Sequence, residues 1–170
     1  MATVTPSYAA KTALTITLAS LASDTAQTAG QESTQIDNTT NKYSTALLEG
    51  FITVGTTPTT GKNILVYVWG ANESLATTAK DVMDGTDSAE TITAAGVRDG
   101  FLKLAAILNV DSATSNRRYD FGNVDVANAL GLSVLPPFWG VFVTHNTGVA
   151  LNSTAGNHAI SYSGVKYDVA

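Results

Sequence analysis

Cysteine is absent from all 170 residues, which removes disulfide frameworks, thiolate metal sites and thiol catalysis at one stroke and leaves the redox compartment open. Charge is also scarce. Only 14% of residues are Asp, Glu, Lys or Arg, and the formal net charge is -5. Nucleic-acid binders concentrate Lys and Arg, whereas the nine basic residues here are scattered apart from Arg117 and Arg118, so no direct nucleic-acid contact is expected. No apolar run approaches the ~20 residues of a membrane-spanning helix. The opening MATVTPSYAAK lacks the basic-then-apolar order of a signal peptide, so the chain is expected to be soluble as made, with no membrane partner.

What fills the space is threonine, roughly one residue in seven, whose branched Cβ favours pleated surfaces over helices. Short apolar-alternating runs, about eight of them, are separated by turn clusters, and no long amphipathic helix interrupts them. The pattern predicts an all-β chain: an antiparallel, jelly-roll-like β-sandwich of about eight strands with long uneven loops. At this length one domain, residues 11–170, buries enough surface to fold without metal or disulfide.

Along the chain, Ala13 to Leu21 alternates Leu14, Ile16 and Leu18 against Thr15 and Thr17 and predicts a half-buried strand. The stretch from Ser23 to Lys42 has Ile36 as its one strongly apolar residue and reads as a long surface connection. Tyr43 to Val54 reads as a strand bulged at Gly50, and Ile64 to Trp69, apolar on both faces, as a central one. Ala71 to Thr86 reads as irregular with room for a short helix, Thr91 to Ala95 as a short strand, and Phe101 to Asp111 as a strand rather than a helix. Tyr119 and Phe121 mark another strand, with a helical turn after Asn123 as N-cap. Phe138 to His145, the turn Asn146-Thr147-Gly148 and Val149 to Leu151 read as a hairpin. The last run, Ala159 to Val169, alternates Ile160 and Tyr162, slips at Gly164 and resumes with Val165, Tyr167 and Val169.

No catalytic constellation emerges. The loop Gly55 to Asn63 carries a Gly61-Lys62 pair, but the glycine spacing is one residue too long, Asn63 replaces the magnesium-binding hydroxyl, and a strand follows where a helix is needed. A hairpin loop is the expectation. Asp81, Asp84, Asp87 and Glu90 form an acidic cluster whose spacing does not match a calcium loop and suits a solvated turn. His145 and His158 lack a third metal ligand, no GxSxG elbow is present, and the acceptor patterns at Asn38, Asn72 and Asn152 lack a secretion signal to give them meaning. Trp69 and Trp139 sit at strand positions and are expected in the core. The expectation is a non-enzyme without cofactor or metal. Residues 1–10 are too small and polar to pack alone and read as an extended arm, with Pro6 and Tyr8 as the candidate partner-binding residues and Tyr8 as anchor.

The segments GQESTQIDNTTNKY, ITVGTTPTTGKNILVYVWG, MDGTDSAETIT, WGVFVTHNTGVAL and GNHAISYSGVKYDV together resemble small virion structural proteins of tailed bacteriophages. Among these a jelly-roll capsid decoration or cement protein is the nearest in size and fold. The resemblance implies a virion location on the capsid surface after synthesis in the host cytoplasm, the major capsid protein as partner, and a homo-oligomeric arrangement on the capsid. It carries no site residues. The rival expectation is a tail, neck or fibre-associated sandwich that binds a glycan or a neighbouring tail protein. A sandwich-fold glycan hydrolase would require two carboxylates facing each other about 5 to 10 Å apart in a cleft.

Overall fold

A computed structural model describes residues 3–169. Two antiparallel sheets face each other. The first runs in the order β1 (Val4–Tyr8), β11 (His158–Val169), β5 (Thr45–Thr53), β9 (Arg118–Asp125), with the short β2 (Thr12–Ala13) also on β11. The second runs β7 (Ala89–Thr91), β3 (Ala29–Glu32), β10 (Phe138–His145), β6 (Lys62–Ala71), β8 (Lys103–Val110), with β4 (Ile36–Asp37) on β10. With the minor strands β2, β4 and β7 set aside, the chain changes sheet at every connection except β6 to β8. That eight-strand order, 1-11-5-9 against 3-10-6-8, is the double Greek key of a jelly roll.

The inward faces alternate as the sequence does. Leu48 and Ile52 from β5, Val66 and Val68 from β6, Trp139, Val141 and Val143 from β10 and Ile160 from β11 close one core between the sheets, and Trp139 meets Tyr162 edge to face at 5.1 Å. A second core lies on the outside. The long connection from β6 to β8 folds back over the outer face of its own sheet, setting Leu75, Met83, Ile92 and Leu102 on Leu65, Tyr67, Trp69 and Phe142. This cover is why β6 is apolar on both faces, and β6 indeed runs between β10 and β8. Both tryptophans are wholly buried. Trp69 lies so close over Gly140 that a Cβ there would stand 2.5 Å from its ring, so this contact requires glycine.

Several local expectations are corrected. The polar stretch 23–42 contributes β3 and β4 to the second sheet, and Gln31, Glu32 and Ser33 are buried there. Their burial is tolerable because each finds partners: the Ser33 hydroxyl accepts the Val141 N–H at 3.0 Å, and Gln31 Nε2 donates to Asp87 at 2.6 Å. Residues 14–18 keep the expected inward Leu14 and Leu18 but form no ladder beyond β2. The expected bulge at Gly50 is present in β5, its register shifting between Leu48 and Gly50. Thr91 ends β7, and α1 (Ala95–Phe101) follows in place of a strand through Ala95. The turn α2 (Val126–Ala129) is capped by Asp125, whose carboxylate accepts the Asn128 N–H, and not by Asn123. Loop 55–61 joins strands of opposite sheets, so it is a crossover and not a hairpin. The expected hairpin after β10 does not form either: β10 pairs with β6, β3 and β4, and Leu151 bridges to Val54 instead.

β11 also differs from its sequence reading. Its ladder passes Gly164 without a slip, pairing continuously first with β5 and then with β1. The apolar residues change face instead, from Ile160 and Tyr162 in the core to Val165, Tyr167 and Val169 on the opposite side. Gly164 lies beneath the Tyr43 ring at the crossover point, where a Cβ would come within 2.3 Å of it.

Candidate functional site

The first element places the two arm residues. β1 pairs antiparallel with the last five residues of β11, from Val4 opposite Val169 to Tyr8 opposite Val165. β5 begins at Thr45, opposite Val165, so Lys166–Val169 and their β1 partners overhang the sheet as a two-stranded ribbon. Residues 1 and 2 of the expected arm lie outside the described residues.

Cross-strand neighbours share a face, and the register sorts this ribbon completely. Val4, Pro6 and Tyr8 lie with Val169, Tyr167 and Val165 on one face, and Thr5 and Ser7 with Asp168 and Lys166 on the other. The apolar face is bare beyond Val165: Val4, Tyr8, Tyr167 and Val169 are each at least 60% exposed. Pro6 fits this ladder for a definite reason. The Ala9 N–H donates to Gly164 O at 2.8 Å, and alternation from that bond puts Pro6 opposite Tyr167 in a non-hydrogen-bonded pair, its ring nitrogen facing away from β11.

The ribbon stands beside other exposed apolar groups. The α2–β10 loop reaches the same end of the sandwich, where the Leu135 N–H donates to Ser44 O and the Ser44 N–H to Val165 O, and it exposes Leu132 and Val134. An open groove of about 560 Å³ at this end is lined by Phe101, Leu130, Leu132 and Pro136 with Lys80 and Lys103. The opposite end, formed by loops 20–28, 54–61, 111–117 and 146–157, exposes no large hydrophobic side chain.

The acidic cluster disperses. Asp81 binds the Thr93 hydroxyl and N–H, which hold its carboxyl below the usual range. Asp87 accepts from the Thr17 hydroxyl and N–H and from Gln31, tying three segments together. Asp84 and Glu90 instead converge with Glu32, their oxygens within 4.8 Å of one another. Glu32 carries no signal in the sequence, being one acid in a polar stretch. It is fully buried and accepts the Asp84 and Gly85 N–H groups at 3.1 and 3.0 Å. Burial pushes its carboxyl up to about 7 against those two bonds, with the charges of Asp84 and Glu90 adding to the rise. The cluster fastens the 84–85 turn to β3, and among the described residues its three carboxyl groups are the set that lies close enough together to hold a metal ion.

The histidines are committed to backbone. His145 is fully buried, with Nε2 at 3.0 Å from Leu21 O and Nδ1 at 3.0 Å from the Thr147 hydroxyl, and burial lowers its pKa. His158 Nε2 donates to Asn152 O at 2.8 Å, and burial lowers its pKa too. They do not join a metal-ligating group among the described residues. Asn38 is buried and bonded to the Tyr43 backbone through both ends of its amide, which withdraws it as a glycosylation acceptor.

Compared with known proteins, the chain matches no family model, no curated sequence and no solved structure. Its surface therefore carries the functional reading.

Proposed function

We propose that this chain is a structural virion protein, a capsid decoration or cement protein that binds the outer surface of the major capsid protein lattice and stabilises the head. The observation that carries the reading is the uneven distribution of exposed apolar groups: among the described residues Val4, Tyr8, Leu132, Val134, Tyr167 and Val169 stand at one end of the jelly roll, Val97, Leu104 and Ile107 lie on α1 and the edge strand β8, and the loops of the other end expose none. Such exposed apolar residues mark an interaction surface, and a rigid sandwich presenting them at one pole suits a protein that docks by that pole. Many modest contacts repeated on a lattice give tight retention without a strong single site. On this reading the protein is made in the host cytoplasm, resides on the capsid surface and is arranged there as a homo-oligomer.

A tail, neck or fibre-associated role with glycan adhesion is the second reading. It draws on the groove at the same end, where the Phe101 ring and the Lys80 and Lys103 ammonium groups line one concavity and an aromatic face could stack on a sugar. Copy number separates the two. Quantitative mass spectrometry of purified particles is expected to give a simple lattice fraction of the major capsid protein; a handful of copies per particle favours the tail reading, and absence from particles defeats both.

A further inference from the structure

A sheet edge offers unpaired N–H and C=O groups to any strand within reach, and folded proteins blunt it. The two sheets here end in β1 and β9 and in β7 and β8, and three of these edges are blunted. β7 is three residues long, β1 carries Pro6, and β9 carries Arg118 and Asp120 with left-handed backbone at Asn123 (φ 46°). β8 is eight residues long, has no proline and is uncharged from Leu104 to Val110. Its one irregularity is the extra residue Ala105, near its start. The Asn146 N–H donates to Asn63 O at 3.1 Å, which turns the Asn63 backbone towards β10. By alternation Ile64 and Val66 face β8 and bond their partners Leu108 and Ala106, so the N–H and C=O groups of Ile107 and Asn109 point away from β6. No loop among the described residues hydrogen-bonds to them. Leu104 and Ile107, paired with Tyr67 and Leu65, stand exposed on the outer face at the rim of the second core.

We infer that β8 is the strand through which two copies of this chain pair, antiparallel and edge to edge about a two-fold axis at Ile107, joining their second sheets into one. This goes beyond the functional reading above and does not depend on it. Two observations choose a second copy over a foreign strand. First, the edge is complementary to itself. The two-fold sets the outward N–H and C=O of Ile107 against those of the other copy, and the two exposed isoleucine side chains meet over the new ladder. Second, the charges at its ends match. Lys103 and Asp111 flank the uncharged stretch, each four residues from Ile107 and each exposed. Reversing one strand about Ile107 therefore brings Lys103 of each copy beside Asp111 of the other, whereas parallel pairing sets like charge beside like. A two-fold contact uses the edge of both copies and stops at two.

The test is sedimentation equilibrium of the full chain from about 1 µM to about 1 mM, with residue-resolved hydrogen exchange at both limits. Wild type is expected to pass from monomer to dimer. The Ile107 and Asn109 amides are expected to exchange rapidly when dilute and to become protected in the dimer, while the Ala106 and Leu108 amides, bonded to β6, stay protected throughout. Ile107→Lys, which sets two ammonium groups against each other at the axis, is expected to weaken the dimer at least about tenfold. Lys103→Glu, which places an acid beside Asp111, is expected to weaken it about threefold. A wild type that stays monomeric overturns the inference. So does a dimer whose Ile107 and Asn109 amides exchange as fast as in the monomer, because its contact then lies elsewhere. Indifference of the dimer to either substitution in a folded variant overturns it too. Should both variants fail to fold, the exchange pattern of wild type decides alone. Copy counting in particles tests the functional reading separately, and neither result settles the other.

Discussion

The two ends of the sandwich solve the same problem differently. At one, the loops bind themselves: Asp24 accepts the N–H groups of Ala26, Thr28 and Ala29, Asn146 accepts the Asn63 N–H at the start of β6, and Asn152 gathers Thr154, Asn157 and Asn116. At the other, apolar side chains stand without cover. A loop whose polar groups are already paired among themselves has little left to recognise a partner with. The contrast therefore teaches that aspartate and asparagine here close the molecule, while tyrosine, valine and leucine open it.

This comparison can be broken or sharpened by experiment, the largest effect coming from a site that belongs to neither end. Glu32 has a folded pKa of about 7 against an ordinary 4.5, so the folded state holds its proton more tightly than the unfolded chain does. Its stabilising contribution is full below about pH 4.5 and is lost as pH rises through 7, a fall of about 3 kcal/mol. Urea titrations at pH 4.5, 6 and 8 should show that slope, and Glu32→Gln should flatten it; an unchanged slope in the variant would assign it elsewhere. At the closed end, Asp24→Ala removes an acceptor shared by three backbone N–H groups and is expected to cost about 2 kcal/mol at pH 7. The Ala29, Thr28 and Ala26 N–H groups depress this carboxyl's pKa, so the difference from wild type should be present above about pH 4 and shrink as pH falls below it.

At the open end the expected stability effects are smaller. Deleting residues 1–10 removes a strand that is exposed along most of its length and should leave a cooperative unfolding transition, displaced by about 1 kcal/mol, with lattice binding lost. Loss of folding in that deletion would make the ribbon part of the core. Leu132→Ser/Val134→Ser should change stability by less than about 0.5 kcal/mol, and salting-out thresholds should rise. A matching loss of stability would mean those side chains are packed more tightly than their exposure indicates.

Much of the fold was legible because alternation is a local signal. The bulged β5, the central β6 and strand β8 follow from residue order alone, as does the burial of Trp69 and Trp139. The polar β3 was not legible, because its place in the sheet is secured by partners far away in sequence, the Asp84–Gly85 turn and the β10 backbone. The hairpin after β10 misled for the same reason: a turn signal at Asn146–Gly148 says that the chain reverses, not which sheet it returns to. The ribbon was half legible. Its residues were all apparent as an alternating tail and a small N-terminal arm, but that the two pair, and that the pairing puts every apolar side chain on one face, depends on a register no single segment carries.

Pro6 carries a consequence for storage and concentration. A ribbon with an apolar face and an unprotected margin is a template on which further chains can stack, strand upon strand, into filaments. With an ordinary amino acid at position 6 the margin of β1 would offer an additional N–H, and growth from chain to chain would face one obstacle fewer. The proline sits where its missing hydrogen weakens nothing inside the molecule, so a single imide ring helps keep an adhesive surface from becoming a polymerising one.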